Sequence, residues 1–499
     1  MKYQNPIILS DYSDPDVIRY NDNYYLVASS FNHTPILPIL KSKDLVNFKI
    51  LRYVDDKIPF KRFDHVCHGD GVWAPSIRYH DGYFYIIVPY PDEGIYIYKT
   101  DDIENGAFES WCLIEGKGII DPCPIWDNGK CYLVCGFAKS RIGFNSMLGL
   151  YEVSSDLKKN ISGEYKIIFD GHNIAPTIEG PKFYKRNDYF YILAPAGSVK
   201  TGWQVALRSK NIYGPYEQKI VMLQNDSKIN GPHQGALVSL DDGKDVFYHF
   251  QDLKCYGRIV HLEPVKWIND WPIIGNVKDE LLGGTPVDEW DYFVNPNFDY
   301  KIDSSDDFKD DKLSLMWQTP ANKKDDLYKL DNGLILYANS NLESINKLDL
   351  LPNAFLTKLI YKSFEVKTSC NLHLNDGEDV GLCYMGMDYA SINVINKNNK
   401  YYVRIIKGNF SDIENEIIYE EEYNDDKIIF NLLYLEPNKY ILGINNKYYK
   451  YEFIATPGRW IGGKYGIYCR GNNGGYSKFN YFYVVEVQNE NRWWIYSWY

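Results

Sequence analysis

IEGPKFYKRNDYFYI, residues 178–192, is the stretch of sequence that decides the fold of this 499-residue chain. It places a carboxylic acid before a short strand pattern, then a polar turn, then a second strand of alternating aromatic and aliphatic residues. The same pattern begins again at Asp14, Trp73, Asp121 and, more loosely, Gly235. Five copies at roughly 50–60-residue spacing are typical of blades around a central axis. The sequence therefore predicts an all-β protein that begins with a five-bladed β-propeller over residues 1–295.

The repeat gives way to a polar, turn-rich segment between residues 285 and 307, which we interpret as a linker. From about residue 305 the chain consists of alternating strands rich in Asn and Lys, without the repeat. This pattern predicts a β-sandwich over residues 305–499. The aromatic tail, residues 493–499, is predicted to dock onto the body of the protein or into an oligomer interface, so a homo-oligomer is one expectation.

Composition excludes several classes of partner. The net charge is −12 and the sequence has no basic run, so neither nucleic acid nor an anionic membrane is an expected partner.

The first residues lack a signal-peptide core, and no apolar run reaches the length of a membrane span. The nine cysteines lack the paired spacings of a zinc site, which favours reduced thiols in a cytoplasmic protein. The 45 tyrosines suit hydroxylated ligands, although Tyr is also a common strand residue.

Carboxylic acids recur at one position of the repeat. The residue before the first Pro is Asp14, Asp121 or Gly180 in three of the copies, and Glu179 lies one place earlier, level with Trp73. Each first strand should be the innermost of its blade, so three blades direct a carboxyl group at the axis. A lone Asp-Pro is usually a turn starter. Three acids at matching points repel one another and resist desolvation, and their joint placement favours a catalytic role.

Opposed carboxyl groups in a pocket are the requirement of glycoside hydrolysis. One group must be neutral to protonate the leaving oxygen, while the other must be ionised. Carboxyls that come from blades across an axis should be far enough apart to admit a water molecule, and a separation of roughly 6.5–9.5 Å is typical of inverting enzymes. A third carboxylate near the acid can raise its pKa by like-charge repulsion. The pattern therefore favours an inverting hydrolase.

Ten short phrases carry a resemblance to a known family. They are SDPD (13–16), ASSFNHTP (28–35), GVWAP (71–75), IDPCP (120–124), EGP (179–181), GPHQG (231–235), HFQD (249–252), YGR (256–258), HLEPVKW (261–267) and DWPIIG (270–275). In these phrases the sequence resembles glycoside hydrolase family 43, the five-bladed propeller β-xylosidases and α-L-arabinofuranosidases. The resemblance extends over the whole chain and implies a concanavalin-like sandwich at its C-terminal end.

The resemblance implies roles for the three acids. Asp14 would be the general base that activates water, Glu179 the general acid, and Asp121 the residue that orients the acid and tunes its pKa. Asp16 stands where many relatives have a small residue, and its partner could be either Arg78 or Arg19.

The resemblance also implies a binding site around these acids. Phe31 and Trp73 would form apolar walls against the sugar, with core packing as the alternative. Arg258 would donate to sugar hydroxyls or neighbour Asp121, with a surface ion pair as the alternative. His233 would lie near the propeller centre, where it either is a satisfied polar residue or contacts a structural calcium through water. No cofactor is expected to be required.

Together these features predict an exo-acting, inverting hydrolase that releases terminal β-D-xylose from imported xylo-oligosaccharides, with α-L-arabinofuranosidase side activity on arabinose-substituted oligosaccharides. A dedicated α-L-arabinofuranosidase is the first alternative, and the motifs do not exclude it. A non-catalytic carbohydrate-binding protein is an alternative of another class, but binding alone does not require opposed acids. An endo-arabinanase fits poorly, because such enzymes usually need an open groove and access to polymer.

Overall fold

The computed structural model describes residues 1–278, 282–338 and 347–488. The predicted docking of the aromatic tail, residues 493–499, falls outside the described residues. The short helical segments of the described part are α1 (Lys139–Ile142) and the 3-10 turns Lys61–Asp64, Lys254–Tyr256, Asp325–Leu327 and Leu348–Leu350. Within these ranges no helix is long and apolar enough to span a bilayer.

Five four-stranded antiparallel sheets follow one another along the first part of the chain. They are preceded by a short strand, β1 (Lys2–Gln4). The strands of blade one are β2 (Asp16–Tyr20), β3 (Asn23–Val27), β4 (Ile36–Ser42) and β5 (Phe48–Asp55); of blade two β6 (Ser76–His80), β7 (Tyr83–Tyr90), β8 (Gly94–Thr100) and β9 (Glu109–Glu115); of blade three β10 (Ile119–Asp127), β11 (Lys130–Phe137), β12 (Met147–Val153) and β13 (Lys166–Asp170); of blade four β14 (Lys182–Arg186), β15 (Tyr189–Ala196), β16 (Trp203–Ser209) and β17 (Glu217–Met222); of blade five β18 (Gly235–Ser239), β19 (Asp245–Asp252), β20 (Arg258–Ile268) and β21 (Trp271–Ile274).

The first strand of each blade is the innermost, as the repeat predicts. Strand β2 contacts both β6 and β18, and β10 contacts both β6 and β14, so the five first strands surround the axis. Strand β1 pairs antiparallel with β22 (Glu289–Asp291), which joins the two ends of the propeller. The prediction of a five-bladed propeller is confirmed.

Blades pack on one another through apolar side chains on alternating strand positions. Between blades five and one, Leu26 and Leu40 are buried with Val246, Tyr248 and Val260 in one cluster. Burying a side chain of this size contributes about 1.5–3 kcal/mol relative to leaving it exposed. The nine cysteines are all free thiols, and seven of them are buried, as the spacing predicts.

The second part of the chain is a sandwich of two antiparallel sheets. One sheet has the order β23-β24-β35-β26-β31-β32-β33 and the other the order β25-β34-β27-β28-β29-β30. Their bounds are β23 (Tyr328–Leu330), β24 (Leu334–Tyr337), β25 (Phe355–Lys358), β26 (Phe364–His373), β27 (Asp379–Met385), β28 (Asp388–Lys397), β29 (Lys400–Asn409), β30 (Glu416–Tyr423), β31 (Lys427–Leu435), β32 (Lys439–Ile444), β33 (Lys447–Ile454), β34 (Lys464–Arg470) and β35 (Tyr476–Glu486). Leu382, Val394, Phe430, Ile467 and Phe482 are fully buried between the sheets. The predicted sandwich is confirmed.

The sandwich contacts the propeller next to the start of β20. Gly463 donates its backbone N–H to the carbonyl of Cys255 (2.7 Å), and Lys358 donates to the carbonyl of Asp11 (2.6 Å). A Cβ atom on Gly257 would lie 2.4 Å from the backbone nitrogen of Gly462, so only glycine permits this approach. The sandwich therefore holds the turn that precedes Arg258.

Candidate active site

The same backbone conformation brings Asp14, Asp121 and Glu179 to the axis. Asp14 and Asp121 have φ of +55°, and Gly180, at the matching position of blade four, has φ of +57°. This left-handed region is costly for side chains other than glycine, and such strain is concentrated at functional sites. Gly180 donates its N–H to Oδ2 of Asp121 (2.8 Å), which ties the start of blade four to the start of blade three.

Asp14 is fixed by two donors. The hydroxyl of Ser29 donates to Oδ2 (2.7 Å), and Nη1 of Arg258 lies 3.0 Å from Oδ1 and 3.1 Å from Oδ2. Asp14 is 5% exposed. Arg258 thus forms an ion pair with Asp14, and its charge also opposes the rise in the pKa of Asp121. Charge-assisted bonds of this kind orient a carboxylate strongly, which suits a group that must accept a proton from water.

Asp121 and Glu179 have a different electrostatic environment from Asp14. Burial, followed by repulsion from Asp14, raises the pKa of Asp121. Burial, followed by repulsion from Asp121, raises the pKa of Glu179, and Arg258 opposes the rise only in part. The Glu179 side chain is still 38% exposed into the opening of the site, where it can reach a bound substrate. A carboxyl group with a raised pKa and access to the pocket is suited to donate a proton.

His233 lies beside the acid. Its Nε2 atom is 3.6 Å from Oε1 of Glu179, and the imidazole is 2% exposed. Burial, followed by the charge of Arg258, lowers the pKa of His233 to about 3, so the ring is neutral at neutral pH. Neither ring nitrogen has a protein hydrogen-bond partner, which leaves both for water or a sugar hydroxyl.

The two predicted apolar residues differ in exposure. Phe31 is 3% exposed, and its ring centroid lies 6.5 Å from that of Trp73, at an interplanar angle of 56°. Phe31 therefore packs against Trp73, and the contact of either ring with a sugar stays a prediction. Trp73 is half-buried and is anchored by its Nε1, which donates to the carbonyl of Gly69 (2.9 Å), and by the guanidinium of Arg141 above its ring (5.2 Å).

The sandwich also contacts the rim of the site, by which we mean the edge formed by Trp73 and Gly69. A Cβ atom on Gly69, whose carbonyl anchors Trp73, would lie 2.9 Å from Cγ of Arg459 and 3.0 Å from Cδ1 of Trp460. Trp460 has φ of +67° and is 52% exposed. Sequence reasoning missed Trp460, because the packing of one domain on another leaves no local pattern. Its one signal was the Gly-rich sequence around it.

Sequence reasoning also left the partner of Asp16 open and missed Lys182. The structure pairs Oδ2 of Asp16 with Nη1 of Arg78 (2.7 Å), whereas Arg19 pairs with Asp241 (2.5 Å). Lys182 is fully buried and donates to the carbonyl of Pro75 and to Oγ of Ser76, each at 2.8 Å. A lysine in an inner-strand position of the repeat was the signal that could have found it.

The predicted calcium contact of His233 is not confirmed. Within the described ranges there is no group of three or more His, Cys, Asp or Glu side chains that could hold a metal ion. His233 faces Glu179 and the ring of Phe250 (5.0 Å between centroids). The predicted contact is through water, which itself supplies oxygen ligands to calcium, so it stays a prediction and no step of the mechanism is assigned to a metal.

Comparison with known proteins identifies the family of the chain. The family model "Glycosyl hydrolases family 43" matches residues 3–272, and the model "Beta xylosidase C-terminal Concanavalin A-like domain" matches residues 305–485. The chain therefore belongs to glycosyl hydrolase family 43. The resemblance found in the sequence phrases is confirmed.

Individual relatives cover different shares of the chain. A Xylanibacter ruminicola protein with the provisional name beta-xylosidase is 39% identical over 66% of this chain and 60% of its own length. A non-reducing end alpha-L-arabinofuranosidase of Bacteroides ovatus is 31% identical over 63% of this chain and 60% of its own. The chain thus spans about 60% of the length of these relatives. The structure of a Bacillus halodurans xylan beta-1,4-xylosidase matches 97% of this chain and 100% of its own with a TM-score of 0.81, at 22% identity, which supports the two-domain fold.

Proposed function

We propose that the protein is an exo-acting, inverting glycoside hydrolase that releases terminal β-D-xylose from xylo-oligosaccharides, with α-L-arabinofuranosidase side activity. The observation that carries this proposal is the contrast between two carboxyl groups at one end of the axis. The carboxylate of Asp14 accepts hydrogen bonds from Arg258 and Ser29. The pKa of Glu179, in contrast, is raised by burial and by the charge of Asp121. Different environments for two neighbouring acids are the usual basis of acid and base roles.

The proposed reaction is a single displacement. Asp14 takes a proton from a water molecule, whose oxygen attacks the anomeric carbon as the bond to the leaving oxygen breaks. Glu179 gives its proton to that oxygen, so water is divided between the two products. Burial, and then the charge of Asp121, raise the pKa of Glu179 and keep it protonated, and neutral His233 is placed to bond a sugar hydroxyl. The anomeric centre is inverted because water attacks from the face opposite the leaving group.

The stereochemistry can be measured directly. In a proton NMR time course with xylobiose, we expect α-xylose in the first minutes, before mutarotation, because inversion of a β-linkage gives the α-anomer. Early β-xylose would instead show retention and would contradict the roles of Asp14 and Glu179. Absence of hydrolysis in fresh enzyme would contradict the xylosidase assignment. An arabinofuranosyl oligosaccharide in the same format then tests the second candidate, a dedicated α-L-arabinofuranosidase, which the Bacteroides ovatus relative favours by its name.

Contact between the sandwich and the rim supports exo action. We propose that residues 1–295 form the catalytic propeller, and that residues 305–499 belong to a sandwich domain whose Arg459 and Trp460 narrow one side of the opening. Both side chains lie against Gly69, which anchors Trp73. A narrowed opening favours the end of a chain over its interior.

A change at Trp460 tests this arrangement. We expect Trp460→Ala to raise KM for xylotriose several-fold with little change in the rate of 4-nitrophenyl xyloside hydrolysis, because the ring would contact a sugar beyond the cleaved bond. An aromatic stacking contact of this kind contributes about 0.5–1.5 kcal/mol. Tyr451→Ala, a change of an exposed aromatic residue elsewhere in the sandwich, is the control. Unchanged kinetics with xylotriose in Trp460→Ala would remove Trp460 from the site.

A further inference from the structure

The two donors that hold Asp14 are themselves held by one carboxylate oxygen. Oδ1 of Asp11 accepts a hydrogen bond from the backbone N–H of Arg258 (2.9 Å) and another from the hydroxyl of Ser13 (3.0 Å). The carbonyl of Ser13 in turn accepts from the backbone N–H of Ser29 (3.0 Å). Arg258 and Ser29 are the residues whose side chains donate to the carboxylate of Asp14. Asp11 is therefore connected to Asp14 by two separate routes.

The segment that carries Asp11 is fixed against the start of β20. Tyr12 donates its N–H to the carbonyl of Arg258 (3.1 Å), which adds a second bond between the two segments. A Cβ atom on Gly257 would lie 2.5 Å from Oδ1 of Asp11, so the carboxylate packs closely against the residue before Arg258. Asp11 is 6% exposed. Burying a carboxylate is costly unless hydrogen bonds offset the cost, and here those bonds go to the groups around Asp14.

The sandwich encloses the other side of this segment. Lys358, the last residue of β25, donates from Nζ to the carbonyl of Asp11 (2.6 Å), and the same Nζ atom lies 3.8 Å from the ring centroid of Tyr12. A Cβ atom on Gly462 would lie 3.1 Å from Cβ of Asp11. Asp11 thus lies between the two domains, in direct contact with the sandwich and two hydrogen bonds away from Asp14.

We propose that Asp11 is a positioning residue for the catalytic base, and that the sandwich influences the reaction through the bond from Lys358 to Asp11. Asp11 places Nη1 of Arg258 and the hydroxyl of Ser29 where both can bond the carboxylate of Asp14. A general base must direct a lone pair at the attacking water, and a misplacement of about 1 Å can cost on the order of 10²-fold in rate. The inference rests on the proposed role of Asp14.

Removal of the Asp11 carboxylate should change kcat more than KM. We expect Asp11→Ala to lower kcat for xylobiose by about 10–100-fold with KM little changed, because Asp14 would lose the orientation that Arg258 and Ser29 give it. Asp11→Asn keeps an acceptor oxygen at this position and should retain most of the rate. Lys358→Met leaves the side chain of Asp11 intact and should show a smaller loss of kcat.

A second background separates positioning from stability. In Asp14→Asn the base is absent, so the addition of Asp11→Ala should cause little further loss of kcat. Both backgrounds would be measured with a dinitrophenyl xyloside, whose good leaving group keeps the residual rate measurable. A purely structural role of Asp11 would give the same fold-loss whether or not Asp14 is present.

Asp44→Ala is the matched control for Asp11→Ala. Oδ1 of Asp44 likewise accepts from a serine hydroxyl, that of Ser42 (3.0 Å), and from a backbone N–H, that of Asn47 (2.8 Å), but it lies at the turn between β4 and β5. It is 0% exposed, so its replacement should lower stability without a loss of kcat. Lys347→Met is the control for Lys358→Met, because Lys347 donates to the carbonyl of Phe410 within the sandwich (2.8 Å).

Three outcomes would contradict these expectations in different ways. Unchanged kcat in folded Asp11→Ala, or an equal fold-loss in the two backgrounds, would overturn the inference. If Asp11→Ala does not fold, Lys358→Met decides in the same two backgrounds, and unchanged kcat or an equal loss would again overturn it. Wild-type turnover in Asp14→Asn alone would instead overturn the proposed role of Asp14.

Discussion

Replacing Asp14 with alanine is expected to lower kcat for xylobiose by about 10³–10⁴-fold with KM little changed, since a general base acts mainly in the transition state. The structure supports a loss in kcat without a change in KM, because Asp14 is 5% exposed and is held by Arg258 and Ser29 at the axis. Steady-state kinetics on purified enzyme, with the fold checked by circular dichroism and thermal unfolding, would measure the effect.

The backbone at Asp14 determines how the test is best built. With φ of +55°, alanine there adds strain that asparagine tolerates better. Asp14→Asn should therefore lose activity to a similar extent while it retains more stability than Asp14→Ala. Asp22→Ala, an exposed aspartate in the turn between β2 and β3, is the control. Near-normal turnover in the folded Asp14→Asn variant would remove Asp14 from the mechanism.

The blade structure could be predicted from sequence because it is local and repeated. Each hairpin has a polar turn between alternating strands, and a period of two residues fixes which side chains face the axis. The matching positions of the repeat placed Asp14 and Asp121 together, with Glu179 one position earlier, without coordinates. The left-handed conformation shared by Asp14, Asp121 and Gly180 could not be predicted. Glycine is the residue type that indicates this conformation, and it occupies only one of the three positions.

The remaining parts of the site depend on contacts between distant segments. Arg258 and Asp14 are 244 residues apart, and Lys358 reaches Asp11 across 347 residues. Such pairs depend on how loops of different blades and domains meet, which no local periodicity encodes. The sequence thus identified Arg258 but left its partner undecided, and its one indication of Trp460 was the Gly-rich sequence around that residue.

The second large effect concerns Glu179. We expect Glu179→Gln to reduce kcat/KM for xylobiose by about 10³–10⁴-fold, yet to reduce hydrolysis of a dinitrophenyl xyloside by only about tenfold, because a good leaving group needs little protonation. Glutamine keeps the length of the side chain, which limits the structural change next to His233, 3.6 Å away. Parallel kinetics on the two substrates, with Gln251→Ala as a control at a partly buried polar position in blade five, would measure the difference.

The pH dependence gives the same prediction a second readout. Because burial and Asp121 raise the pKa of Glu179, its proton is retained at neutral pH and lost as the pH rises through that raised value. Wild-type activity on xylobiose should therefore fall on the alkaline side. In Glu179→Gln the alkaline limb should disappear for the dinitrophenyl substrate, since no proton remains to be lost there. Equal losses on both substrates, with the alkaline limb preserved, would mean that Glu179 has a structural role and that another group donates the proton.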